Sequence, residues 1–289
     1  MDRDDSLIAL YDAPYAISRP ARQSVAFVFA SPHSGRIYPH SFVAQSRLSS
    51  LSLRRSEDAF VDELFSGVVE LGAPLIAARF PRAFLDVNRA PSEIDAAMFD
   101  GALPVASETT ARVTAGLGVI PRIVRDGAEI YRGKLAPEEI AERLEHLYRP
   151  YHTALIQLIQ ETHARFGACV LIDCHSMPSA AAVPDVVLGD RYGVSASPEL
   201  MREAERAFGT HGFSVARNAP YAGGHTTHLH GSRDGTVQAL QVEINRGLYL
   251  DEERVMRGPR FGEIAMRLAR ALRDLTAFAP ARPSSLAAE

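Results

Sequence analysis

The feature that most constrains the fold is a short uncharged run at 168–172, which leads directly into Asp-Cys-His at 173–175. Because the run is short and lies between Gly167 and Pro178, it is typical of a strand that is buried on both faces. The polar side chains then follow at the end of the strand, where open α/β sheets hold their ligands. The pattern therefore predicts an α/β protein with a functional site beside His175.

A second buried strand is predicted at 24–30, and His33 follows it in the same way. Two strands that each end near a histidine predict one shared metal site. A zinc ion that acts on an acyl group needs about three protein ligands and one open position. The third ligand is expected from a helix predicted over 56–71, where Asp58 and Asp62 share a face. Asp58, at the start of that helix and nearer His33, is the first choice.

Other segments alternate between strand and helix patterns, which predicts a three-layer α/β sandwich. Strands are expected at 74–78, 84–88, 183–188, 213–216 and 237–244, and helices at 137–165, 198–208 and from 251 onward. The whole chain, 1–289, is interpreted as a single α/β domain. It would carry an N-terminal surface arm at 1–23, an irregular insertion at 90–134 and a frayed C-terminal tail at 277–289.

The composition argues against several classes of protein. Hydrophobic residues make up 46% of the 289 and charged residues 23%, and the formal net charge of −4 disfavours nucleic acid or an anionic membrane as a partner. No uncharged stretch approaches the ~18 residues of a membrane span, and the acidic N-terminus is unlike a signal peptide. Cys169 and Cys174 should point to opposite faces of one strand, so no disulfide is expected and a cytoplasmic location is the simplest interpretation.

Five short motifs occur in order between about residues 24 and 255. They are Ser-Pro-His33-Ser-Gly35, Asp58-x-Phe-Val-Asp62-Glu-Leu, Arg82-x3-Asp86-Val-Asn88-Arg89, Asp173-Cys-His175-Ser and Gln241-Val-Glu243-Ile-Asn-Arg246. Together these motifs resemble the N-formylglutamate amidohydrolase family. The resemblance implies a three-layer α/β/α sandwich with a central mixed sheet, of the zinc-dependent exopeptidase (phosphorylase/hydrolase-like) type. It also implies one Zn²⁺ per chain, bound by His33, Asp58 and His175.

The resemblance further implies the catalytic and binding groups. Glu243 would take a proton from the attacking water and pass it to the leaving amine, and Arg82 would stabilise the oxyanion of the tetrahedral intermediate. Asn88 and Arg89 would bind the α-carboxylate of the substrate, the arginine through its bidentate fork. Asp86 is expected to orient an arginine or a ligand histidine.

The Gly/His-rich segment 221–231 leaves alternatives open. His225, His228 and His230 would either contact a second substrate carboxylate or close over the site as a lid. A separate metal site on His228 and His230 is a further alternative. The family often has an arginine in this segment, where this chain has histidines. The other residues expected to contact the substrate or to supply the missing cation are Tyr221, Arg246 and Arg233.

The predicted function is hydrolysis of the acyl-amide bond of a small N-acyl amino acid, with N-formyl-L-glutamate as the default substrate. Formate and L-glutamate would be the products, which places the reaction at the end of histidine breakdown. The alternative within this chemistry is a deacylase or carboxypeptidase-like metallohydrolase with another carboxylate-bearing substrate. A small-molecule-binding protein without turnover is a different class, and so is a nucleophile mechanism at Cys174 or Ser176. The nucleophile is disfavoured because sequence neighbours on a strand face opposite ways and cannot form a dyad with His175.

Overall fold

A computed structural model describes residues 4–124, 126–180 and 182–280. Its centre is a seven-stranded sheet with the strand order β1-β3-β2-β4-β7-β5-β6. The strands are β1 (Tyr15–Ser18), β2 (Phe27–Ser31), β3 (Leu75–Ala78), β4 (Cys169–Met177), β5 (Val186–Gly189), β6 (Val215–Arg217) and β7 (Val237–Asn245). The sheet is mixed, because β3, β2, β4 and β7 run parallel whereas β1 and β5 pair antiparallel to β3 and β7.

The helices flank this sheet, and a small hairpin follows it. The helices are α1 (Asp5–Asp12), α2 (His40–Gln45), α3 (Ser50–Arg54), α4 (Val61–Leu64), α5 (Ala111–Thr114), α6 (Pro137–Arg143), α7 (Arg149–Phe166), α8 (Pro198–Thr210), α9 (His225–His230) and α10 (Phe261–Thr276). The hairpin pairs β8 (Leu250–Asp251) with β9 (Met256–Arg257). Within the described residues, none of the helices combines the length and the apolar character that crossing a membrane requires.

Two hydrophobic cores lie on the two faces of the sheet. One packs α1, α6, α7 and part of the insertion, and the other packs α4, α8 and α10. Strand β4 contributes to both: Cys169 and Leu171 enter the first core, whereas Ile172 and Cys174 enter the second. The predicted three-layer α/β/α sandwich with a mixed central sheet is confirmed. Both cysteines are buried and unpaired, as expected from their opposite faces.

The site lies at one edge of the sheet because the carboxyl ends of β2, β3, β4 and β7 meet there. In the β4–β7 register, His175 is opposite Glu243 and Asp173 is opposite Gln241. Alternation along a strand places all four side chains on the face of the first core. The strands predicted at 24–30, 74–78, 168–174, 183–188, 213–216 and 237–244 all correspond to observed strands, with small shifts of their bounds.

The helix predicted over 56–71 is wrong. Phe60 has a positive φ of 63°, so the chain cannot continue helically through it, and α4 begins only at Val61. Before this point the amide of Asp58 donates to the carbonyl of His33, which draws the chain towards the sheet. A short 3₁₀ turn at Ser66–Val68 follows α4. The periodic apolar residues are buried, but by turns rather than by one helix.

The strand predicted at 84–88 is also wrong. Phe84 and Leu85 both donate to the carbonyl of Pro81, and Asp86 donates to the carbonyl of Val119. The segment is therefore a set of turns, and its apolar residues are buried in the first core without a paired strand.

Other predicted segments have different bounds in the structure, because local pairing forms other elements within them. Residues 1–23, expected as a surface arm, contain α1 and the sheet strand β1. The helix expected from 251 begins at Phe261, because the β8–β9 hairpin occupies the intervening residues. The helix expected over 137–165 consists of α6, a π-helical turn at 144–148 and α7, and the helix expected at 198–208 is α8.

Two predicted segments remain, the insertion at 90–134 and the tail at 277–289. Among the described residues of 90–134, the regular elements are α5 and a 3₁₀ turn at Ala96–Met98. The predicted frayed tail at 277–289 lies outside the described residues from 281 onward. The interpretation of the chain as a single domain stays a prediction.

Candidate active site

Two histidines and one aspartate converge at the sheet edge. His33 follows β2, His175 lies near the end of β4, and Asp58 is held against them by its amide hydrogen bond to the His33 carbonyl, 3.0 Å long. Asp58 Oδ2 lies 2.9 Å from His175 Nδ1 and 3.3 Å from His33 Nδ1. All three side chains are buried, and one ligand atom of each lies within 4.8 Å of the others. These residues can hold a metal ion, and no second such group occurs in the described part of the chain.

A carboxylate stands behind each histidine. His33 Nε2 lies 2.7 Å from Asp86 Oδ1, and His175 Nε2 lies 2.9 Å from Asp173 Oδ2. Metal-binding histidines commonly donate their second ring N–H to a carboxylate in this way, which leaves the other nitrogen free to coordinate. The buried Nδ1 of His33 has no hydrogen-bond partner. The donor set therefore fits a cation between the two Nδ1 atoms and Asp58.

The charges of this cluster stabilise one another. Burial alone would raise the pKa of Asp58, but the hydrogen bond to His175 and the proximity of His33 hold it well below its usual range. Burial alone would lower the pKa of His175, but the charge and hydrogen bond of Asp173 raise it well above 6.5. Without a metal, a proton on His175 therefore holds its Nδ1 and Asp58 Oδ2 together. A bound metal would take the place of that proton.

Arg246 is committed to the same cluster. It donates from NH2 to Asp58 Oδ1 over 2.8 Å and from Nε to Ser176 Oγ over 3.1 Å. The side chain is buried, and it does not belong to the lining of the cavity described next. The structure thus places this predicted substrate-binding arginine behind Asp58, where it neutralises the carboxylate.

A cavity of about 290 Å³ opens in front of the cluster. This is close to the lower limit of small-molecule sites, roughly 300 Å³. Eight residues singled out from the sequence line it, namely His33, Asp58, Arg82, Asn88, Arg89, His175, Tyr221 and Glu243. The other lining residues are Arg112, Ser176, Gln241, Pro220, Ala222, Gly223 and Gly224. Ser176 and Gln241 stand in the quoted motifs and 222–224 in the Gly/His-rich segment, so sequence reasoning missed only Arg112 and Pro220.

Glu243 faces this cavity from β7. Gln241 Nε2 donates to its Oε1 over 2.8 Å. Burial raises the pKa of Glu243 to about 7, and the charge of Asp58 adds to this, against the opposing charges of His175 and Arg82. A carboxylate with a pKa near neutrality can both accept and release a proton at physiological pH.

Arg82, Asn88 and Arg89 occupy different positions around the cavity. Arg82 donates from NH2 to Asp86 Oδ2 over 2.8 Å, so Asp86 orients both this arginine and His33. The Nδ2 of Asn88 lies 3.1 Å from Asp173 Oδ2, and its Oδ1 accepts from the amide of Thr226. Both the nitrogen and the oxygen of the Asn88 side-chain amide are thus hydrogen-bonded within the protein. Within the described residues, the hydrogen bonds of the Arg89 side chain go to carbonyl oxygens, those of Leu117 and Asn88.

The second half of the Gly/His-rich segment forms a short helix, α9 (His225–His230), whose histidines do not line the cavity, whereas 221–224 remain a loop that does. The amide of Thr226 donates to Asn88 Oδ1, which fixes the start of the helix. His225 packs against His152, and His228 Nδ1 lies 2.6 Å from Arg191 NH1. His228 and His230 are two positions apart on the helix and therefore face different directions, which disfavours a metal bound between them.

The nucleophile alternative finds no geometric support. Cys174 is buried in the second core, on the face of β4 opposite to His175, and burial raises its pKa well above 9. The hydroxyl of Ser176 accepts from Arg246 instead of contacting a base.

Some residues of the site gave a sequence signal and others did not. Asp173 and Gln241 stand two positions before His175 and Glu243, on the same faces of their strands, so strand periodicity would have found both. Arg112 lies in the irregular insertion, where no periodic pattern indicates which way a side chain points.

Comparisons with known proteins agree with this geometry. The sequence model of a family described as N-formylglutamate amidohydrolase matches residues 25–250. An N-formylglutamate deformylase of Pseudomonas aeruginosa is 29% identical over 242 residues, 80% of this chain and 85% of that protein. One from Pseudomonas putida is 31% identical over 68% of this chain and 71% of its own length. The crystal structure of N-formylglutamate amidohydrolase from Ralstonia eutropha is 33% identical, with a TM-score of 0.87 over 92% of this chain and 98% of that chain.

Proposed function

Since the chain belongs to the N-formylglutamate amidohydrolase family, we propose that it hydrolyses N-formyl-L-glutamate to formate and L-glutamate. The names of its relatives support the substrate. The observation that carries the chemistry is the convergence of His33, Asp58 and His175 beside Glu243 and Arg82 in one cavity. This arrangement combines a metal-capable group, a proton acceptor and a cation, as amide hydrolysis requires.

We propose one Zn²⁺ per chain as the metal, bound by His33, Asp58 and His175. Two imidazoles and one carboxylate match a catalytic zinc site with an open position, and the unpartnered Nδ1 of His33 supports it. When bound, the ion would act as a Lewis acid towards the formyl group and would make water more acidic.

Glu243 moves the proton in this reaction. Its carboxylate takes a proton from the water that attacks the formyl carbon, and it then delivers this proton to the amide nitrogen as the C–N bond breaks. Its buried position in the cavity beside His33, Asp58 and His175 lets one carboxylate perform both steps. Gln241, which donates to Oε1, holds the carboxylate in one orientation while the other oxygen is used.

Arg82 stabilises the oxyanion that forms when water adds to the formyl carbon. Its side chain lines the cavity, and Asp86 fixes the guanidinium through one nitrogen. A prepositioned cation at a buried site stabilises developing negative charge more strongly than water does. Arg89 binds the substrate α-carboxylate, and Asn88 supports this by holding Asp173, His175 and α9 in place. Tyr221 forms part of the cavity wall, whereas His225 and His228 lie on α9 outside the cavity lining and would support that wall.

We further propose a cytoplasmic location and a role at the end of histidine breakdown. The two buried, unpaired cysteines are compatible with a reducing compartment, and the pathway follows from the proposed substrate.

The test is to measure metal content and formate release from N-formyl-L-glutamate, with Glu243→Gln prepared in parallel. We expect about one zinc per chain, turnover that EDTA abolishes, and a Glu243→Gln variant that keeps its zinc but has lost at least ~100-fold in kcat. Turnover that resists EDTA would contradict the metal. Release of a different acyl group, or binding of substrate without turnover, would contradict the substrate or the activity.

A further inference from the structure

Two arginines at the mouth of the cavity, Arg89 and Arg112, form no ion pair with any acidic residue that the structure describes. Arg112 on α5 lines the cavity and is exposed, and it makes no ion pair among residues 4–124, 126–180 and 182–280. Arg89 donates from Nε to the carbonyl of Leu117 and from NH1 to that of Asn88, both over 2.9 Å, and within the same ranges no carboxylate pairs with it. Two cations lie on one side of a cavity without compensation.

The other arginines near the site differ in this respect. Arg82 is paired with Asp86 over 2.8 Å, and Arg246 with Asp58 over 2.8 Å. The inner arginines are therefore paired with carboxylates, whereas the two arginines at the mouth form no ion pair within the described residues. Burial lowers the pKa of Arg89; the charge of Asp86 opposes this, and the charges of Arg82 and Arg112 add to it.

The position of Arg112 is fixed despite its exposure. Thr110 caps α5 by accepting from the amide of Val113, and the hydroxyl of Thr110 donates to buried Glu93 over 2.9 Å. Val113 is only 2% exposed. After the helix, the amide of Leu117 donates to the carbonyl of Arg112, and the carbonyl of Leu117 accepts from Arg89. The two arginines are thus linked through one short stretch of backbone.

The segment that was expected to supply a cation does not do so. Residues 221–231 contain no arginine, and the histidines of α9 do not line the cavity. Arg246 is occupied by Asp58. Arg233, the remaining candidate, lines a separate surface groove with Ser197 and Phe278. Among the lining residues, Arg112 is left as the cation for a second anionic group.

We propose that Arg112 binds the side-chain carboxylate of the substrate, while Arg89 binds the α-carboxylate, so that α5 selects N-acyl amino acids with an acidic side chain. This rests on the proposed function and adds the residue that determines its specificity. A guanidinium fork matches a carboxylate in a bidentate geometry, whereas a neutral side-chain amide offers only one acceptor and no charge.

The experiment compares Arg112→Met with the wild-type chain on N-formyl-L-glutamate and N-formyl-L-glutamine, which differ only in that a neutral amide replaces the side-chain carboxylate. We expect the ratio of kcat/KM for N-formyl-L-glutamate to that for N-formyl-L-glutamine to fall about tenfold. This corresponds to the lower end of the free energy of a hydrogen bond to a charged group, because Arg112 is exposed to solvent. The loss should appear in KM for the acidic substrate, and Arg112→Lys should restore part of it. In the wild type, the ratio should also fall as salt is raised.

The matched control is Arg132→Met, which removes one exposed arginine from the same insertion, outside the cavity. It should leave the ratio unchanged. Normal turnover of N-formyl-L-glutamate with an unchanged ratio in Arg112→Met would overturn the assignment of Arg112 and leave the proposed function intact.

Failure of the function itself is distinguishable by calorimetry with L-glutamate and L-glutamine. Suppose that the wild type hydrolyses neither N-formyl substrate but binds L-glutamate more tightly than L-glutamine. If Arg112→Met removes that difference in affinity, the inference stands without the proposed function. The absence of both turnover and preference would overturn the two together.

Discussion

Asp58 and Asp62 lie four positions apart, but their carboxylates have different surroundings. Asp58 is buried between His33, His175 and Arg246. Asp62 is about a quarter exposed and pairs with Arg36 over 3.4 Å. The position of the two residues on a predicted helix gave only a weak reason to choose Asp58 as the metal ligand. The structural reason is the turn that carries Asp58 towards the histidines.

We expect Asp58→Asn to lose its metal, because the amide lacks the negative charge that Zn²⁺ requires of this ligand although it still accepts from Arg246. The affinity should fall by more than the roughly 10–100-fold typical of outer partners of a metal site. Asp62→Asn is the matched control and should keep about one zinc per chain. Metal content by mass spectrometry checks both, and the reverse pattern would show that the wrong acid was assigned.

At the scale of elements, β4 presents different chemistry on its two faces. Asp173 and His175 point to the face that holds the site, and Cys174 between them is buried in the second core. The same alternation applies to Gln241 and Glu243 on β7, with Val242 in the second core. Adjacent parallel strands thus supply paired polar residues from one face while the other face remains apolar.

Cys174→Ala should therefore keep kcat/KM within about twofold, since the thiol does not reach the cavity. Its free energy of unfolding should fall by about 1 kcal/mol, the usual cost of a small loss of core packing. Steady-state kinetics and urea denaturation of the same preparation separate the two effects. A variant that folds normally but has no activity would revive the nucleophile mechanism.

At the scale of the whole molecule, the site concentrates buried charge at one sheet edge, and this couples stability to pH. The pKa of Glu243 is raised by burial from 4.5 to about 7 in the folded, metal-free chain. Below about pH 4.5 the carboxyl is protonated in both states and does not affect stability. As the pH rises from about 4.5 to 7, the unfolded chain releases this proton while the folded chain keeps it, so stability falls, and the loss is complete once the folded carboxyl ionises above about 7.

In the presence of EDTA, Glu243→Gln should become more stable than the wild type as the pH is raised from 5 to 8, by on the order of 2 kcal/mol. The amide still accepts from Gln241 but carries no ionisable proton. Urea unfolding at the two pH values measures the difference between the variants, which cancels contributions from other groups. A difference that does not change with pH would mean that Glu243 is not charged at a cost in the folded protein.

The sequence by itself determined the three layers of the fold and the edge of the sheet at which the site lies. Strand patterns such as 168–172 and 24–30 depend on local alternation and burial, and these survive in the fold as β4 and β2. Because parallel strands end at one edge, the histidines near those ends were predicted to meet, and His33 and His175 do. The family resemblance added the residues from Arg82 to Arg89 and Glu243, most of which line the same cavity.

Only the tertiary structure decided what lies between these strands. Phe60 leaves the helical region, and Asp58 reaches His33 through a backbone hydrogen bond that no periodic pattern encodes. Arg246 pairs with an aspartate 188 positions away, and Arg112 reaches the cavity from an irregular insertion. Local periodicity follows from which residues a strand or helix must bury. The partners of a buried charge depend on contacts between distant segments, which exist only once the chain has folded.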